Sequence, residues 1–525
     1  LHKDLWDCTG SEIVHRTWGD LFDTARRAAA ALRRLGLERG ELVAAVLTSS
    51  HEASAVLAGA WFAGARVASL PEPARGISIS RYEAQLARLI GEMGSRLLVV
   101  EDRLRGLLSD GGALGAQMVS FESLVTVDRV GPVEPLERDE IIFVQCSSGS
   151  TGEPKGAMLR LEAIEAQLSL LAEALSIDPA HDVAATWLPT SHDMGLFGCV
   201  LLPWATGMRS LRSRPERFMM SPRTWLEDCA AVKATLTAGP PLGLGAAARV
   251  ARGCPPLSLR TWLVGADQIT WEGLTRAVAL LGPLDVGLET ITPAYGLAEA
   301  TLAVTLGELD APPVTLDVDG SSLMAGEISP AAAGKPVSTL VSVGRALPGV
   351  SVRVEADPGS IGEIRVRTPS LASGYLNNDD ATTAAFDRGE LRTGDLGLID
   401  GEELYVVGRN DDVIVIGGRN LHVAEIEAEL ASLPGVRAGC CALIDPRDGS
   451  GEASILAEVA VDVGDGAGLT EEMKGLAREA AGIPVRDCLL LGAGELPKTP
   501  SGKVQRFRCR ELLAHRGRPR SPEAF

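Results

Sequence analysis

Residues 141–156 read IIFVQCSSGSTGEPKG. The first six are apolar except for Gln145, too few for a helix and bounded by loop formers, so they predict a buried strand. That strand runs into a loop of hydroxyls, glycines and one lysine: Ser147, Ser148, Gly149, Ser150, Thr151, Gly152 and Lys155. Small residues let backbone N–H groups approach phosphate oxygens, hydroxyls add further donors, and a lysine adds charge. The GxxxxGK[ST] spacing of a Walker loop does not fit. By composition alone such a loop is most often a turn, so the stretch leaves both readings open.

Working outward, strands and helices alternate. Residues 19–35 and 52–65 carry apolar residues at three-to-four spacing and predict helices. Residues 41–47, 66–72 and 96–102 are short apolar runs that predict strands, and 162–175 predicts the helix after the loop. Strands alternating with helices imply an α/β fold, a large N-terminal domain of parallel sheets covered on both faces. From about residue 340 the texture changes to short alternating strands with turns between them, which suits a small β-barrel-like or antiparallel unit. After 413–418, helix and strand resume at 423–433, 439–445, 453–463 and 471–482, enough for a small α+β domain. The expected division is 1–409 and 410–525, with the break near Gly408–Asp412. Residues 307–340, rich in Ala, Pro, Gly and Ser, read as a surface insertion.

Composition narrows the function. The chain has 525 residues, 46% hydrophobic and 23% charged, an ordinary globular balance that needs more than one core. Aromatics are only 4%, so Ala, Leu and Val must build the interior. The formal net charge of -19 gives no attraction to nucleic acid or to an anionic membrane surface, and serves solubility. Nine cysteines show no CxxC pair and no ligand spacing, which speaks against zinc and suits a reducing cytoplasm. The opening LHKDLWDCTG is charged and polar, unlike a signal peptide, and no apolar run approaches the ~18 residues of a membrane span.

Further motifs follow the loop in a fixed order: Pro293 to Glu299 (PAYGLAE), Gly362-Glu363-Ile364, Leu391 to Asp395 (LRTGD), Gly408 to Asp412 (GRNDD) and Pro497 to Lys503 (PKTPSGK). Together with SSGSTGEPKG these six resemble the ordered motifs of the adenylate-forming (ANL) superfamily. That superfamily includes acyl-CoA synthetases, fatty acyl-AMP ligases, peptide-synthetase adenylation domains and luciferases. The resemblance covers residues 140–510 and implies ATP and Mg2+ as cofactors and a carboxylic acid as substrate.

The resemblance also assigns roles. Lys503 matches the catalytic lysine, which bridges the attacking carboxylate and the phosphate; without it, Lys503 reads as a solvated lysine in a polar turn, and Lys498 is the weaker candidate. Glu299 matches the Mg2+-binding glutamate, a hard oxygen donor suited to that ion. Thr151 and Lys155 would meet phosphate, with Thr151 near the metal. Tyr295, beside Gly296, would stack on adenine, and Gly265, Ala266 and Asp267 would line it. Asp395 would accept from the ribose hydroxyls, with Arg409 nearby. Taken singly, Glu299 is a cap or surface carboxylate and Asp395 a turn residue. Asp411 stands at the hinge of a mobile C-terminal domain, where a residue absorbs a large backbone rotation.

Within the superfamily, Trp187 to Leu196 (WLPTSHDMGL) is similar to a signature of fatty acyl-AMP ligases. Forty-five positions separate Glu299 from Gly344, and 307–340 resembles the insertion that marks that branch and hinders coenzyme A use. The acyl group would then pass to an acyl carrier protein or another acceptor. His192 and Asp193 would border the acyl tunnel, His192 as a gate or as packing. The tunnel segment is matched to Thr237–Gly245, where Gly239, Leu242 and Gly243 replace bulky aromatics and would widen it for a bulky natural-product acid as well as a fatty one. Neither stretch holds a basic cluster, so an apolar tail is expected. Two other readings stay open: an acyl-CoA synthetase, and a non-catalytic adenylate-binding protein.

If Lys503 has that role, Lys503→Ala lowers adenylation by on the order of 10²–10³, the usual cost of one transition-state charge stabiliser. Binding of a preformed acyl-adenylate changes far less; equal losses in both measurements would make Lys503 structural.

Overall fold

The computed structural model describes residues 4–8, 13–73, 79–109, 111–128, 130–147, 155–324, 327–331, 334, 337–357, 360–410, 413–416, 419–422, 424–444, 452–460, 466–481, 484–498 and 504–516. Two large sheets dominate. The six-stranded sheet runs Gln117–Ser120, Leu97–Val100, Leu42–Ala45, Arg66–Ser69, Ile141–Ser147, Lys155–Arg160. All its pairings are parallel except the last. The nine-stranded sheet places Ile291–Gly296, Thr261–Val264, Leu236–Gly239, Val183–Thr186, Arg209–Ser213 and Asp4–Cys8 side by side in parallel, with antiparallel strands at both edges. Strands buried on both faces explain why these stretches read as continuous apolar runs.

The scarcity of aromatics is met by close helix packing. Helix Trp18–Arg34 opens on a capping box: Thr17 accepts from the Asp20 N–H, and the Asp20 carboxylate accepts from the Thr17 N–H. It turns Leu21, Ala25, Ala28, Ala29 and Leu32 inward against helix His51–Phe62. At Gly59 the second helix meets the first backbone to side chain. A Cβ there would lie 2.7 Å from both the Ala25 carbonyl oxygen and the Ala28 methyl, so no other residue fits without parting the helices. Dispersion contacts at that spacing replace what larger rings would bury.

One element escaped the reading of the sequence. The Gly/Ser loop leads into the strand Lys155–Arg160, antiparallel to Ile141–Ser147, before helix Leu161–Ala174 begins. Only Ala157 and Leu159 alternate inward, too few to reveal a strand. After residue 340, five antiparallel strands follow: Ser351–Glu355, Gly362–Arg367, Phe386–Asp387, Glu390–Asp400 and Glu403–Arg409.

The Ala/Pro/Gly/Ser-rich segment carries structure of its own. Thr315–Asp319 pairs with Val337–Val341, and a short helix, Gly320–Met324, follows the first strand. Val318, Leu323 and Leu340 share a core with Leu396, Leu398, Tyr405 and Val407 of the antiparallel unit. The C-terminal part holds a hairpin, Val413–Ile416 with Arg419–His422, and a three-stranded sheet of Val436–Ile444, Ala453–Val459 and Val485–Leu491. That sheet has its own core with helices Ala424–Ser432 and Gly466–Ala481, around Ile426, Leu430, Ile455 and Met473. Among the described residues no helix is long and apolar enough to cross a membrane.

Candidate active site

In parallel sheets, loops leaving the carboxyl ends of neighbouring strands converge on one crevice. Here three such loops, from the strands ending at Thr186, Val264 and Gly296, meet the end of the antiparallel unit around a cavity of about 1830 Å³. Lys155, His192, Asp193, Gly265, Ala266, Asp267, Tyr295, Gly296, Glu299, Asp395 and Arg409 all line it. Ser148, Gly149, Ser150, Thr151, Gly152, Asp411 and Lys503 lie outside the described residues, and of Ser147 only the backbone, the last residue of its strand, is described.

The backbone around the cavity is tight. A Cβ on Gly265 would sit 2.6 Å from the Ala294 carbonyl oxygen, and one on Gly296 would sit 1.8 Å from that of Leu302. Ala266 adopts φ +66 and Thr301 φ +69, left-handed conformations that cost an L-residue roughly 1–2 kcal/mol. Such strain clusters where surrounding structure holds a functional geometry.

Three carboxylates organise the charge. Asp395 and Arg409 are cross-strand partners, which brings the Arg409 Nε within 2.7 Å of Asp395 Oδ1. The Tyr295 hydroxyl donates to Asp395 Oδ2 at 2.6 Å. Burial, and then the Asp395 charge, push the Tyr295 phenol well above its ordinary range, so it stays a donor. Glu299 sits on the one-turn helix Ala298–Ala300. Burial pushes its carboxyl up, and the hydrogen bond from the Tyr375 hydroxyl, 2.8 Å, pulls it back. Asp193 takes the Met194 N–H at 2.7 Å and His192 Nδ1 at 2.6 Å. It thereby caps the π-helix Met194–Leu201, a rare form that recurs at functional sites. Gly195 is demanded there, because a Cβ would lie 2.1 Å from the Pro189 carbonyl oxygen.

The cavity has two characters. Around Lys155, Glu299 and Asp395 it is polar. Elsewhere Leu171, Leu175, Cys199, Leu202, Leu263 and Leu306 make an apolar arm between helix Leu161–Ala174, the π-helix and the sheet. Gly239, Leu242 and Gly243, expected to widen an acyl tunnel, do not line the cavity. The Trp187 indole fills the space beside both glycines, 2.5 Å from where a Gly243 Cβ would stand, and stacks on Phe218 at 3.8 Å; Leu242 is 61% exposed. The small residues admit a tryptophan, so they leave no added room for a ligand. From the C-terminal part, Gly439, Cys441, Gln505 and Arg506 complete the wall, with Arg506 paired to Glu427 through both guanidinium nitrogens at 2.6 and 2.9 Å.

Sequence reasoning missed Tyr375 and Glu72. Tyr375, one of four tyrosines, holds Glu299 and offers its ring to the Lys155 ammonium, 5.2 Å from the centroid. A rare aromatic in the turn SGYLNN was the available signal. Glu72 accepts from the Ser191 hydroxyl at 3.2 Å, beneath the loop that carries His192. Among the described residues no three His, Cys, Asp or Glu side chains gather as a metal cage. Mg2+ needs no such cage, since one or two carboxylates plus phosphate oxygens and waters suffice, and the buried Glu299 oxygens fit that pattern.

The sequence profile for AMP-binding enzymes matches residues 5–376. The medium-chain-fatty-acid acyl-carrier-protein ligase JamA of Moorena producens is 28% identical over 543 residues, covering 95% of this chain and 90% of that protein. The long-chain-fatty-acid–AMP ligase FadD26 of Mycobacterium tuberculosis is 28% identical over 539 residues, covering 94% and 91%. A solved structure from work on fatty acyl-adenylate ligases of E. coli and L. pneumophila superposes with a TM-score of 0.90 at 24% identity, over 98% of this chain and 96% of that one, and shares the fold.

The carboxyl bonded to Ser191 makes stability depend on pH. Burial, then the neighbouring Glu216 and Glu101 charges, push the Glu72 carboxyl up to about 7 against the pull of Ser191 and Arg214. Its ordinary value is 4.5, so between 4.5 and about 7 the folded chain holds a proton that the unfolded chain has lost, and stability falls as pH rises through that window. Glu72→Gln removes that slope. Unfolding free energies of the parent from urea titrations therefore drop relative to the variant between about pH 5 and about pH 8, by on the order of 2 kcal/mol. Parallel profiles would contradict this.

Proposed function

The chain belongs to the AMP-binding enzyme family, and we propose that it joins an apolar carboxylic acid to AMP at the expense of ATP and passes the acyl group to a carrier-protein thiol. The observation that carries this reading is one cavity in which an apolar arm opens into a chamber of fixed charge. The activities of FadD26 and JamA, an AMP ligase and an acyl-carrier-protein ligase, support the first step and the whole of such a reaction respectively.

The acid lies with its tail in the arm and its carboxylate in the polar chamber. A carboxylate oxygen attacks the α-phosphorus of ATP, the bond to the bridging oxygen breaks, and pyrophosphate leaves. Lys155 offers positive charge at the edge of the phosphate loop, and Lys503, on the resemblance, supplies it between the two anions. Glu299 would hold Mg2+, whose chemistry here is to neutralise phosphate charge. Asp395, already aimed by Arg409 and Tyr295, accepts from the ribose hydroxyls with its remaining lone pairs. Tyr295 flanks the base, and Gly265, Ala266 and Asp267 approach it through the backbone.

Two features set the substrate and the acceptor. Leu171, Leu175, Leu202 and Leu306 line the arm, which favours an apolar tail, and Trp187 fills the space beside Gly239 and Gly243, so those glycines do not widen the arm for a bulky one. The helix Gly320–Met324 of the insertion lies beside the strand Arg419–His422 of the C-terminal part, with Cα atoms within 8 Å. Its core contacts to Leu396 and Tyr405 anchor it to the larger unit, so it bridges two parts that would have to turn against each other for coenzyme A to enter. The division into units at 409 and 410, with Asp411 as the pivot, belongs to the same reading.

Pyrophosphate release tests it, with ATP, Mg2+ and a panel of linear, aromatic and polycyclic acids, with coenzyme A or a phosphopantetheinylated carrier protein added. Release that requires a linear apolar acid, with acyl transfer to the carrier alone, is expected. Acyl-CoA at a comparable rate would remove the bridging role of the insertion, and absence of acid-dependent release would overturn adenylation.

A further inference from the structure

The segment from Ser370 to Leu376 ties two parts of the site together, and its central side chain stands between two opposite charges. On one side it pairs with the turn that carries Glu299. The Thr301 hydroxyl donates to the Ser370 carbonyl at 2.7 Å, the Ser370 hydroxyl to the Ala300 carbonyl at 3.0 Å, and the Ala372 N–H to the Glu299 carbonyl at 2.8 Å. On the other side it zips onto the strand that follows the Gly/Ser loop. Ser373 N–H donates to Met158 O at 2.8 Å, Met158 N–H to Gly374 O at 2.9 Å, and Leu376 N–H to Gly156 O at 2.8 Å. Gly374 permits this path: its φ is +136, and a Cβ would lie 2.6 Å from the Thr382 methyl.

Tyr375 projects from the middle of this staple. It is 6% exposed, and its ring packs edge-on against Phe386 with centroids 5.6 Å apart. Its hydroxyl donates to Glu299 Oε1 while its face lies under the Lys155 ammonium. A buried carboxylate and a nearby ammonium attract strongly in a low-dielectric site. The ring answers both charges at once, the cation through its π-face and the anion through its O–H. Only one Glu299 oxygen is engaged by the hydroxyl, which leaves the other for a ligand.

We propose that Tyr375 is a positioning residue for Glu299: its hydroxyl, fixed by the Ser370–Leu376 staple, aims that carboxylate at the place where a divalent cation is held beside the nucleotide. The proposal rests on the reading of Glu299 given above. Outer partners that orient a metal-binding carboxylate typically set its affinity by ~10–100-fold.

The test is direct binding of Mn2+ to the full chain with a non-hydrolysable ATP analogue, followed by electron paramagnetic resonance, for the parent, Tyr375→Phe and Glu299→Gln. Tyr375→Phe keeps the ring, its packing and its cation–π face. It is expected to weaken Mn2+ by ~10–100-fold, with the thermal midpoint and the affinity for the apolar acid unchanged. Mn2+ binding equal to the parent in Tyr375→Phe, with binding lost in Glu299→Gln, overturns the positioning role alone. Equal binding in Glu299→Gln overturns the metal reading beneath it. Parallel losses of Mn2+ affinity, acid affinity and thermal midpoint in Tyr375→Phe mean the tyrosine only holds the fold, and also overturn the proposal. Acid affinity separates these cases because the apolar arm, which binds the tail, does not touch the hydroxyl.

Discussion

A carboxylate and a polyphosphate repel, and two unit charges 4 Å apart at an effective dielectric of ~20 cost about 4 kcal/mol. The protein that brings them together is itself acidic, with a net charge of -19. Its site must therefore neutralise its own carboxylates before it can attract anyone else's. Among those lining the cavity, Asp395 has Arg409 and Tyr295, Glu427 has Arg506, Asp193 has His192, and Glu299 has Tyr375. The sheet register delivers Arg409 opposite Asp395, and backbone bonds carry Tyr375 to Glu299.

The same architecture explains why the charged chamber can adjoin an apolar arm. Parallel strands end together, so their loops gather polar groups at one edge of the sheet, while the layer between sheet and helix stays apolar. The arm is the continuation of that layer, lined by Leu171, Leu175 and Leu202. Helices pressed together through Ala28 and Gly59 keep the surrounding core dense without large rings. Several of the few aromatics gather in one core, where Trp187 stacks on Phe218, Phe218 meets Trp225 edge-on, and Trp225 meets Trp262 edge-on.

Much of this was legible in the chain. The apolar runs at 41–47, 96–102 and 141–146 fall on strands of one sheet, and Tyr295, Glu299, Asp395 and Arg409 meet in one cavity although more than a hundred residues separate the first from the last. Order along the sequence was enough to find them, although Asp395 lies inside the strand Glu390–Asp400 while Tyr295 and Arg409 stand at or near strand ends. What was hidden depended on contacts between distant segments. The strand Lys155–Arg160 is too short to show a period. Gly239 and Gly243 look like open space until Trp187 is seen to fill it, and nothing within SGYLNN says that its tyrosine reaches a glutamate 76 positions earlier. Residues 307–340 read only as a surface insertion, because the pairing of Thr315–Asp319 with Val337–Val341 shares its core with the neighbouring strands.

The central claim is spatial: one cavity holds the nucleotide in its polar chamber and the acid's tail in its apolar arm. The structure of the protein with a linear acyl-sulfamoyl adenosine, a stable mimic of the acyl-adenylate, tests this most directly. The account predicts ribose hydroxyls against Asp395, the sulfamoyl group between Lys155 and Glu299, and the chain running past Cys199 toward Leu171 and Leu175. A tail lying along the surface, or a nucleoside bound away from Asp395, would contradict it.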